Sequence, residues 1–171
     1  MVILVNKEDS PIGEMPKMET HEKGLLHRAF SVVIFNSAGE MLLQRRAGDK
    51  YHSGGLWTNA CCSHPRPGVN TEEAAHRRLK EEMGLEAELE YAGSFIYRAK
   101  LDHGLTEHEF DHVYTGITDS LPIINRNEVS EYRYISETEL LNDMSTQPQQ
   151  YTAWFRIMIE RFGKRIFNNN K

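Results

Sequence analysis

Residues 71–84 (TEEAAHRRLKEEMG) constrain the fold more than any other segment, because they carry every signal of an amphipathic helix. Asn70 or Thr71 can cap its start, acidic residues fill its first turn, and Gly84 ends it. An apolar stripe recurs every fourth residue, at Ala75, Leu79 and Met83. We therefore predict a helix in mid-chain that buries one face against the rest of the fold.

Short apolar runs on both sides of this helix predict strands, at residues 2–6, 30–36, 41–46, 87–101, 107–117 and 131–135. Residues 37–40 (SAGE) predict a hairpin, and residues 7–15 predict a polar turn. Two later helices are expected, one opened by a capping box at Ser136 and Glu139 and one over residues 149–167. This order predicts an α/β fold (α+β or mixed α/β/α) in a single domain spanning residues 1–171.

The charge of the chain narrows the classes of partner. A formal net charge of −5 over 171 residues argues against a nucleic-acid binder. Basic residues cluster only at residues 44–50 and 76–80, which suits a small anionic ligand. No run approaches the roughly 18 apolar residues that span a bilayer, and the start lacks the charged region of a signal peptide. We expect no nucleic acid, no membrane and a cytoplasmic location.

The two cysteines, Cys61 and Cys62, are adjacent in TNACCSHP, and His64 follows. A metal site, a redox pair, or one catalytic thiol with a bystander are the alternatives. Geometry disfavours the redox pair, because a trans peptide holds neighbouring Cα atoms about 3.8 Å apart whereas a disulfide needs about 4.4–6.8 Å. In an extended segment adjacent side chains point to opposite sides, so only one thiol can face a given site.

The central helix ends in RRLKEEMGL, where Arg77 and Arg78 each precede a glutamate by four residues. A solvated helix with ion pairs is one interpretation. The ending also resembles a Nudix box, which implies a Nudix-like mixed sheet sandwiched between helices, with the box at about residues 63–85. Ser63, Val69 and Arg78 stand where the box has a glycine and two glutamates. Those glutamates bind Mg²⁺ in the hydrolases, so the departures argue against hydrolysis.

Three separated motifs, GLLHRAFSV, TNACCSHP and EHE, occur together and in order between about Lys17 and the final helix. This set resembles the type I isopentenyl-diphosphate isomerases, a family with the Nudix fold. The resemblance implies interconversion of isopentenyl and dimethylallyl diphosphate through a tertiary carbocation, in isoprenoid biosynthesis. The implied partner is a small-molecule prenyl diphosphate, and we expect a monomer or homodimer.

Histidines and acidic residues near these motifs could form one metal site, since imidazole and carboxylate suit Mn²⁺, Zn²⁺ or Fe²⁺. Along a strand, Glu107 and Glu109 point to one face and His108 to the other. By spacing alone, each histidine could equally be a surface or core residue. The resemblance implies one Mn²⁺ or Zn²⁺ held by His21, His27, His64, Glu107 and Glu109. The remaining histidines match no ligand of the family, and we interpret them as surface or packing residues: His52, His76, His103, His108 and His112.

Moving a double bond needs one group that donates a proton and one that accepts a proton. The resemblance implies that Cys62 and Glu109 form this pair, that Tyr97 assists proton transfer, and that Cys61 only packs. It also places Trp154 beside the carbocation, although Trp154 could equally belong to the core. The residues implied to hold the diphosphate are Lys17, Arg46, Lys50 and Arg78. Glu82 and the carbonyl of Cys62 are the implied ligands of its Mg²⁺.

Two rival functions stay open at the level of sequence. One is a Nudix hydrolase that cleaves a nucleoside or prenyl diphosphate. The other is a metal-binding or scaffold domain without catalysis, which would have no reason to place a thiol opposite a glutamate.

Overall fold

A computed structural model describes residues 1–168, so the last three residues of the predicted domain lie outside the described chain. Within that range one sheet has nine strands, which are β1 Val2–Val5, β2 Pro11–Met15, β3 His27–Phe35, β4 Met41–Arg46, β5 Trp57–Thr58, β6 Cys61–Ser63, β7 Glu90–Lys100, β8 Thr106–Ile117 and β9 Val129–Ile135. The α-helices of the same range are α1 Lys17–Lys23, α2 Thr71–Met83, α3 Glu137–Thr146 and α4 Ala153–Asn168.

Strand β3 is the centre of the sheet. It pairs antiparallel with β1, β4 and β6 and parallel with β8. The parallel register sets His27 opposite Glu109, and the antiparallel β7–β8 register sets Tyr97 opposite Glu109 on the other side. Pairing alone therefore brings three predicted site residues into one row across the sheet.

Both faces of the sheet carry a hydrophobic core. On one face, Phe155, Met158 and Ile159 of α4 pack on buried side chains of the sheet. On the other face, Ala75, Leu79 and Met83 form the predicted stripe of α2 and are buried. A mixed sheet between helices confirms the predicted α/β class.

Helix α2 has the predicted ends. The side chain of Asn70 accepts hydrogen bonds from the backbone N–H groups of Glu72 and Glu73, which would otherwise have no partner within the helix. Gly84 ends the helix with a left-handed φ of +63°. The capping box at Ser136 and Glu139 is also confirmed.

Two predictions of local structure are wrong, and one helix was not predicted. Residues 7–15, predicted as a turn, contain the edge strand β2, whose exposed side chains give no buried alternation to detect. Helix α1 was not predicted, because seven residues are too few for a clear helical period. The last helix begins at Ala153 rather than at residue 149, because Pro148–Gln150 form a 3₁₀ turn and Tyr151 bridges to Trp57. In residues 1–168 no helix combines the length and apolarity needed to cross a membrane.

Candidate active site

One cavity brings together most of the residues predicted to carry function. Its lining includes four cations, Lys17, Arg46, Lys50 and Arg78. The remaining lining residues are Tyr51, His52, Cys62, Ser63, His64, Glu82, Glu107, Glu109 and Trp154. Of the other predicted site residues, His21, His27 and Tyr97 are buried behind this lining. The cavity therefore combines a cationic part with a part that holds a thiol and carboxylates.

Three imidazoles and one carboxylate form a compact group beneath the cavity. The ligand atoms of His21, His27, His64 and Glu109 all lie within 4.8 Å of one another. His64 Nε2 is 2.9 Å from Glu109 Oε1 and 3.2 Å from His27 Nε2. Helix α1, strand β3, the segment after β6 and strand β8 supply one residue each. The register of the sheet and the position of α1 therefore bring these four side chains together.

The orientation of these imidazoles suits a cation. His21 Nδ1 lies 2.7 Å from the carbonyl of Lys17, and His27 Nδ1 lies 2.9 Å from the carbonyl of Leu25. A carbonyl only accepts, so each Nδ1 carries the proton and each Nε2 of the neutral ring offers a lone pair. His21 Nε2 is buried and has no hydrogen-bond partner among residues 1–168. Metal-binding histidines typically have this arrangement, so the residues present fit a divalent metal ion.

The protonation of the group also favours metal binding. Burial lowers the pKa of His21, and it lowers the pKa of His64 to about 4. Burial alone would raise the pKa of Glu109, but the adjacent imidazoles of His27 and His64 outweigh it and hold the pKa well below its usual range. Neutral imidazoles and an ionised carboxylate are the forms that ligate a metal.

Glu107, the fifth predicted ligand, lies outside this compact group. Its ligand atom instead groups with those of His21 and His52. The hydroxyl of Tyr97 contacts Glu107 and lies 2.7 Å from Glu109. Burial and the charge of Glu109 raise the pKa of Glu107 well above its usual range. The two glutamates thus share one face, as the strand alternation predicts, but only Glu109 joins the three histidines.

The Cys62 thiol is held from three sides. The indole N–H of Trp154 donates to Cys62 Sγ at 3.3 Å, and the thiol donates to Asn59 Oδ1 at 2.9 Å. Behind it, Ser31 Oγ lies 3.6 Å from the sulfur and donates to Asp111 Oδ2 at 2.7 Å. Burial and the charge of Asp111 raise the pKa of Cys62, so the group is a neutral thiol at neutral pH.

Cys61 points to the opposite side of the strand and is fully buried in the core that α2 covers. Its thiol also donates a hydrogen bond to Glu82 Oε2 at 2.7 Å. Arg78 Nη2 lies 3.3 Å from the other oxygen of Glu82. Interpreting Cys61 as packing alone is therefore incomplete, because its sulfur helps to orient a predicted Mg²⁺ ligand.

Each of the four cations has an aromatic or acidic neighbour, which for Arg78 is Glu82. Lys17 Nζ lies 4.4 Å from the ring centroid of Tyr51, and Arg46 lies 5.1 Å from that of Trp154. Lys50 pairs with Glu128. Burial and the nearby charges of Lys50 and Arg46 lower the pKa of Lys17 to about 8. Crowded cations that destabilise one another in this way favour an anionic ligand.

Sequence reasoning missed two residues of this region. Asp111 continues the alternation of Glu107 and Glu109 along β8, and that period of two could have revealed it. His52 was interpreted as a surface or packing residue, but its side chain is only 4% exposed and lines the cavity. No spacing links it to His21 or Glu107, because it lies in the irregular segment between β4 and β5.

The fold and the cavity define a class, and the comparisons with known proteins agree. The NUDIX domain family matches residues 25–155. A protein from Deinococcus radiodurans matches with a TM-score of 0.71 over 85% of this chain and 89% of its own, at 22% identity. The MutT protein from Methanosarcina mazei matches with a TM-score of 0.68 over 82% and 94% of the two chains, also at 22% identity. The chain is a NUDIX domain protein.

Relatives in sequence are more specific. The isopentenyl-diphosphate Delta-isomerase of Pectobacterium atrosepticum is 55% identical over 94% of this chain and 89% of its own length. The enzyme of the same name from Burkholderia multivorans is 49% identical over 98% of this chain and 95% of its length. The chain therefore belongs to the isopentenyl-diphosphate Delta-isomerase family.

Proposed function

We propose that this chain interconverts isopentenyl and dimethylallyl diphosphate, with Cys62 and Glu109 as the two groups that exchange protons with the substrate. The observation that carries the proposal is that a neutral thiol and an ionised carboxylate line one cavity together with four cations. Such a cavity can bind a diphosphate at one part and move protons at another.

Proton exchange follows from the reaction itself. One group protonates a carbon of the double bond, and a tertiary carbocation forms at the branched carbon. The other group removes a proton from the carbon on the opposite side, and the double bond forms in its new place. The group that donates in one direction accepts in the reverse direction, so each passage moves one proton between Cys62 and Glu109. Tyr97 can relay a proton between Glu107 and Glu109, taking one on its hydroxyl oxygen as it gives up its own, because that hydroxyl contacts Glu107 and lies 2.7 Å from Glu109.

Trp154 serves the thiol and the carbocation together. Its indole N–H fixes Cys62 Sγ, and its ring lines the cavity. An aromatic face stabilises a desolvated cation by about 2 kcal/mol or more. Trp154 is only 4% exposed, so it also keeps out water that would trap the cation.

The cationic part of the cavity suits the diphosphate. We assign Lys17, Arg46, Lys50 and Arg78 to its oxygens, since guanidinium groups can fork onto phosphate. Glu82 and the Cys62 carbonyl would hold Mg²⁺, which neutralises diphosphate charge when bound. Arg78 and Cys61 orient the Glu82 carboxylate. His21, His27, His64, Glu107 and Glu109 would hold one Mn²⁺ or Zn²⁺.

Incubation of the purified enzyme with isopentenyl diphosphate and Mg²⁺ tests the proposal. We expect dimethylallyl diphosphate and no released phosphate. Release of phosphate without the isomer would contradict the proposal and favour the Nudix hydrolase. Absence of both products from a folded, metal-loaded enzyme would favour a non-catalytic domain.

We further propose that the enzyme acts in the cytoplasm as a monomer or homodimer. Both cysteines of the chain are free thiols, which suits a reducing compartment. Light scattering of the purified protein measures the assembly, and a mass above that of a dimer would contradict this part.

A further inference from the structure

His52 lines the active-site cavity and is held there by several neighbouring residues. Its Nε2 lies 3.9 Å from Glu107 Oε2, and its ring stacks on that of His21 with a centroid distance of 5.9 Å. Trp154 meets the ring edge-on at 5.6 Å. Arg46 donates a hydrogen bond to the backbone carbonyl of His52 at 3.2 Å. The imidazole is therefore fixed among residues of the site.

The segment that carries His52 is anchored as well. His52 Nδ1 lies 3.1 Å from Ser53 Oγ. The backbone N–H of Ser53 contacts the carboxylate oxygens of Asp102 at 3.1 and 3.3 Å, and Ser53 adopts a positive φ of 54°. Non-glycine residues rarely adopt such a φ, so the Asp102 contact holds a conformation that the chain would otherwise avoid.

His52 shares the pattern of two predicted metal ligands. In His21 and His27, Nδ1 donates to an oxygen and Nε2 points inward. In His52, Nδ1 can donate to Ser53 Oγ in the same way, which leaves the lone pair of Nε2 facing Glu107. An oxygen partner for the second ring nitrogen is typical of histidines that bind metals.

We propose that His52 is a further ligand of the metal centre, beside His21 and Glu107, and that it biases this centre toward a borderline divalent cation such as Zn²⁺ or Co²⁺. Their ligand atoms lie within 4.8 Å of one another, and all three side chains are buried. His21 Nε2, which lacks a hydrogen-bond partner among residues 1–168, belongs to this set and to the set with His27, His64 and Glu109. This inference rests on the metal centre of the proposed function.

The lone pair of His21 Nε2 is shared between the two groups of ligands. His21 Nε2 can bind only one ion at a time, so the two sets are alternative or merged positions of one ion rather than two full sites. His52 then adds a nitrogen donor to a centre already rich in imidazole. Nitrogen donors favour Zn²⁺ and Co²⁺ over Mn²⁺ and Mg²⁺. His52 thus acts on metal selectivity and also on the position of Glu107.

Cobalt titration of the metal-free enzyme tests this role, followed by visible absorption. For His52→Ala we expect Co²⁺ binding about tenfold weaker or more, a shifted absorption band, and a smaller loss of Mn²⁺ affinity. His52→Gln guards against misfolding and should show the same loss. His76→Ala is the matched control, because His76 lies on the exposed side of α2, where its imidazole is 3.8 Å from Glu72.

A His27→Ala variant distinguishes failure of the role of His52 from failure of the metal centre itself. If His27→Ala loses Co²⁺ while both His52 variants keep the wild-type band and an affinity within twofold, the role of His52 is overturned and the metal centre stands. If the wild-type enzyme binds no Co²⁺, the metal centre and the role of His52 are both overturned, whatever the isomer assay shows. Weaker Co²⁺ binding in the His52 variants with His76→Ala unchanged supports the inference.

Discussion

At the scale of single residues, the adjacent thiols differ in what surrounds each sulfur atom. Cys62 Sγ meets the Trp154 indole, the Asn59 amide and the Ser31 hydroxyl at the cavity wall. Cys61 Sγ meets Glu82 from inside the opposite core. Neighbouring positions in a strand face opposite sides, so one dipeptide serves two different parts of the site.

Substituting each thiol should separate these roles. We expect Cys62→Ala to abolish measurable isomerisation, since a placed proton-transfer group typically contributes about 10²–10⁴-fold. Cys61→Ala should keep most of the turnover at saturating Mg²⁺ but need more Mg²⁺ for half-maximal rate, because Glu82 loses a hydrogen bond. Cys61→Ser keeps a donor and is the control. Equal losses of turnover in Cys61→Ala and Cys62→Ala would contradict the assignment.

We expect Lys17 to make substrate binding depend on pH. Its pKa is lowered to about 8 by burial and by the charges of Lys50 and Arg46, so the free enzyme loses this positive charge as the pH rises through about 8. A diphosphate binds the charged form better, so the KM should be flat well below that pH and rise up to about tenfold between pH 7 and 9. In Lys17→Arg the charge persists and the KM should stay flat. The same rise in both enzymes would exclude Lys17 as its source.

At the scale of elements, α2 has strong local sequence signals, and its C-terminal end is tightly packed. Capping, first-turn acids and the apolar stripe made this helix predictable from its own residues. Its end must also fit the segment after β8, since the Ile123 N–H donates to the Met83 carbonyl at 2.8 Å. This junction bears on the proposed function because Glu82, a proposed Mg²⁺ ligand, lies in the last turn.

Gly84 should therefore tolerate no side chain. A Cβ there would lie 2.6 Å from the backbone oxygen of Ile123, at a φ of +63°. Gly39 is the matched control, because its φ is +79° and a Cβ would meet no described atom within 4 Å. Left-handed φ alone costs about 1–2 kcal/mol. We expect Gly39→Ala to lower the free energy of unfolding by about that amount and Gly84→Ala by clearly more, measured by urea denaturation. Equal losses of unfolding free energy would show that the backbone around Ile123 moves away from the new Cβ without destabilising the protein.

At the scale of the whole molecule, the proposed metal centre joins segments from much of the chain. Helix α1, strand β3, the segment after β6 and strand β8 each contribute one residue. An ion that binds only the folded state stabilises all of these contacts together.

Removal of the metal should therefore lower the thermal stability of the enzyme. Metal at 100 times its Kd adds about 2.7 kcal/mol to the free energy of unfolding, which corresponds to roughly 5–10 °C in Tm for a chain of this size. Glu107→Gln should retain less metal by elemental analysis and show a smaller change in Tm on chelation. Full metal content in that variant, or an unchanged Tm on chelation of the wild-type enzyme, would place the metal elsewhere.

Much of the fold could be predicted from the sequence because its longer elements carry their own signals. Helix α2 has caps and a stripe, and β8 alternates Glu107, Glu109 and Asp111 on one face. Strand β2 and helix α1 are short and polar, so local patterns could not reveal them. Most predicted site residues were available only because several motifs together resemble one family.

The sequence by itself determined the residue types, the faces of the strands and helix α2, and the opposite directions of Cys61 and Cys62. Only the tertiary structure decided which of these side chains meet. The parallel β3–β8 register sets His27 opposite Glu109, α1 delivers His21 to the same point, and an irregular segment brings His52 to Glu107. Local spacing cannot encode such meetings, because they depend on strand pairing and packing between segments distant in the chain.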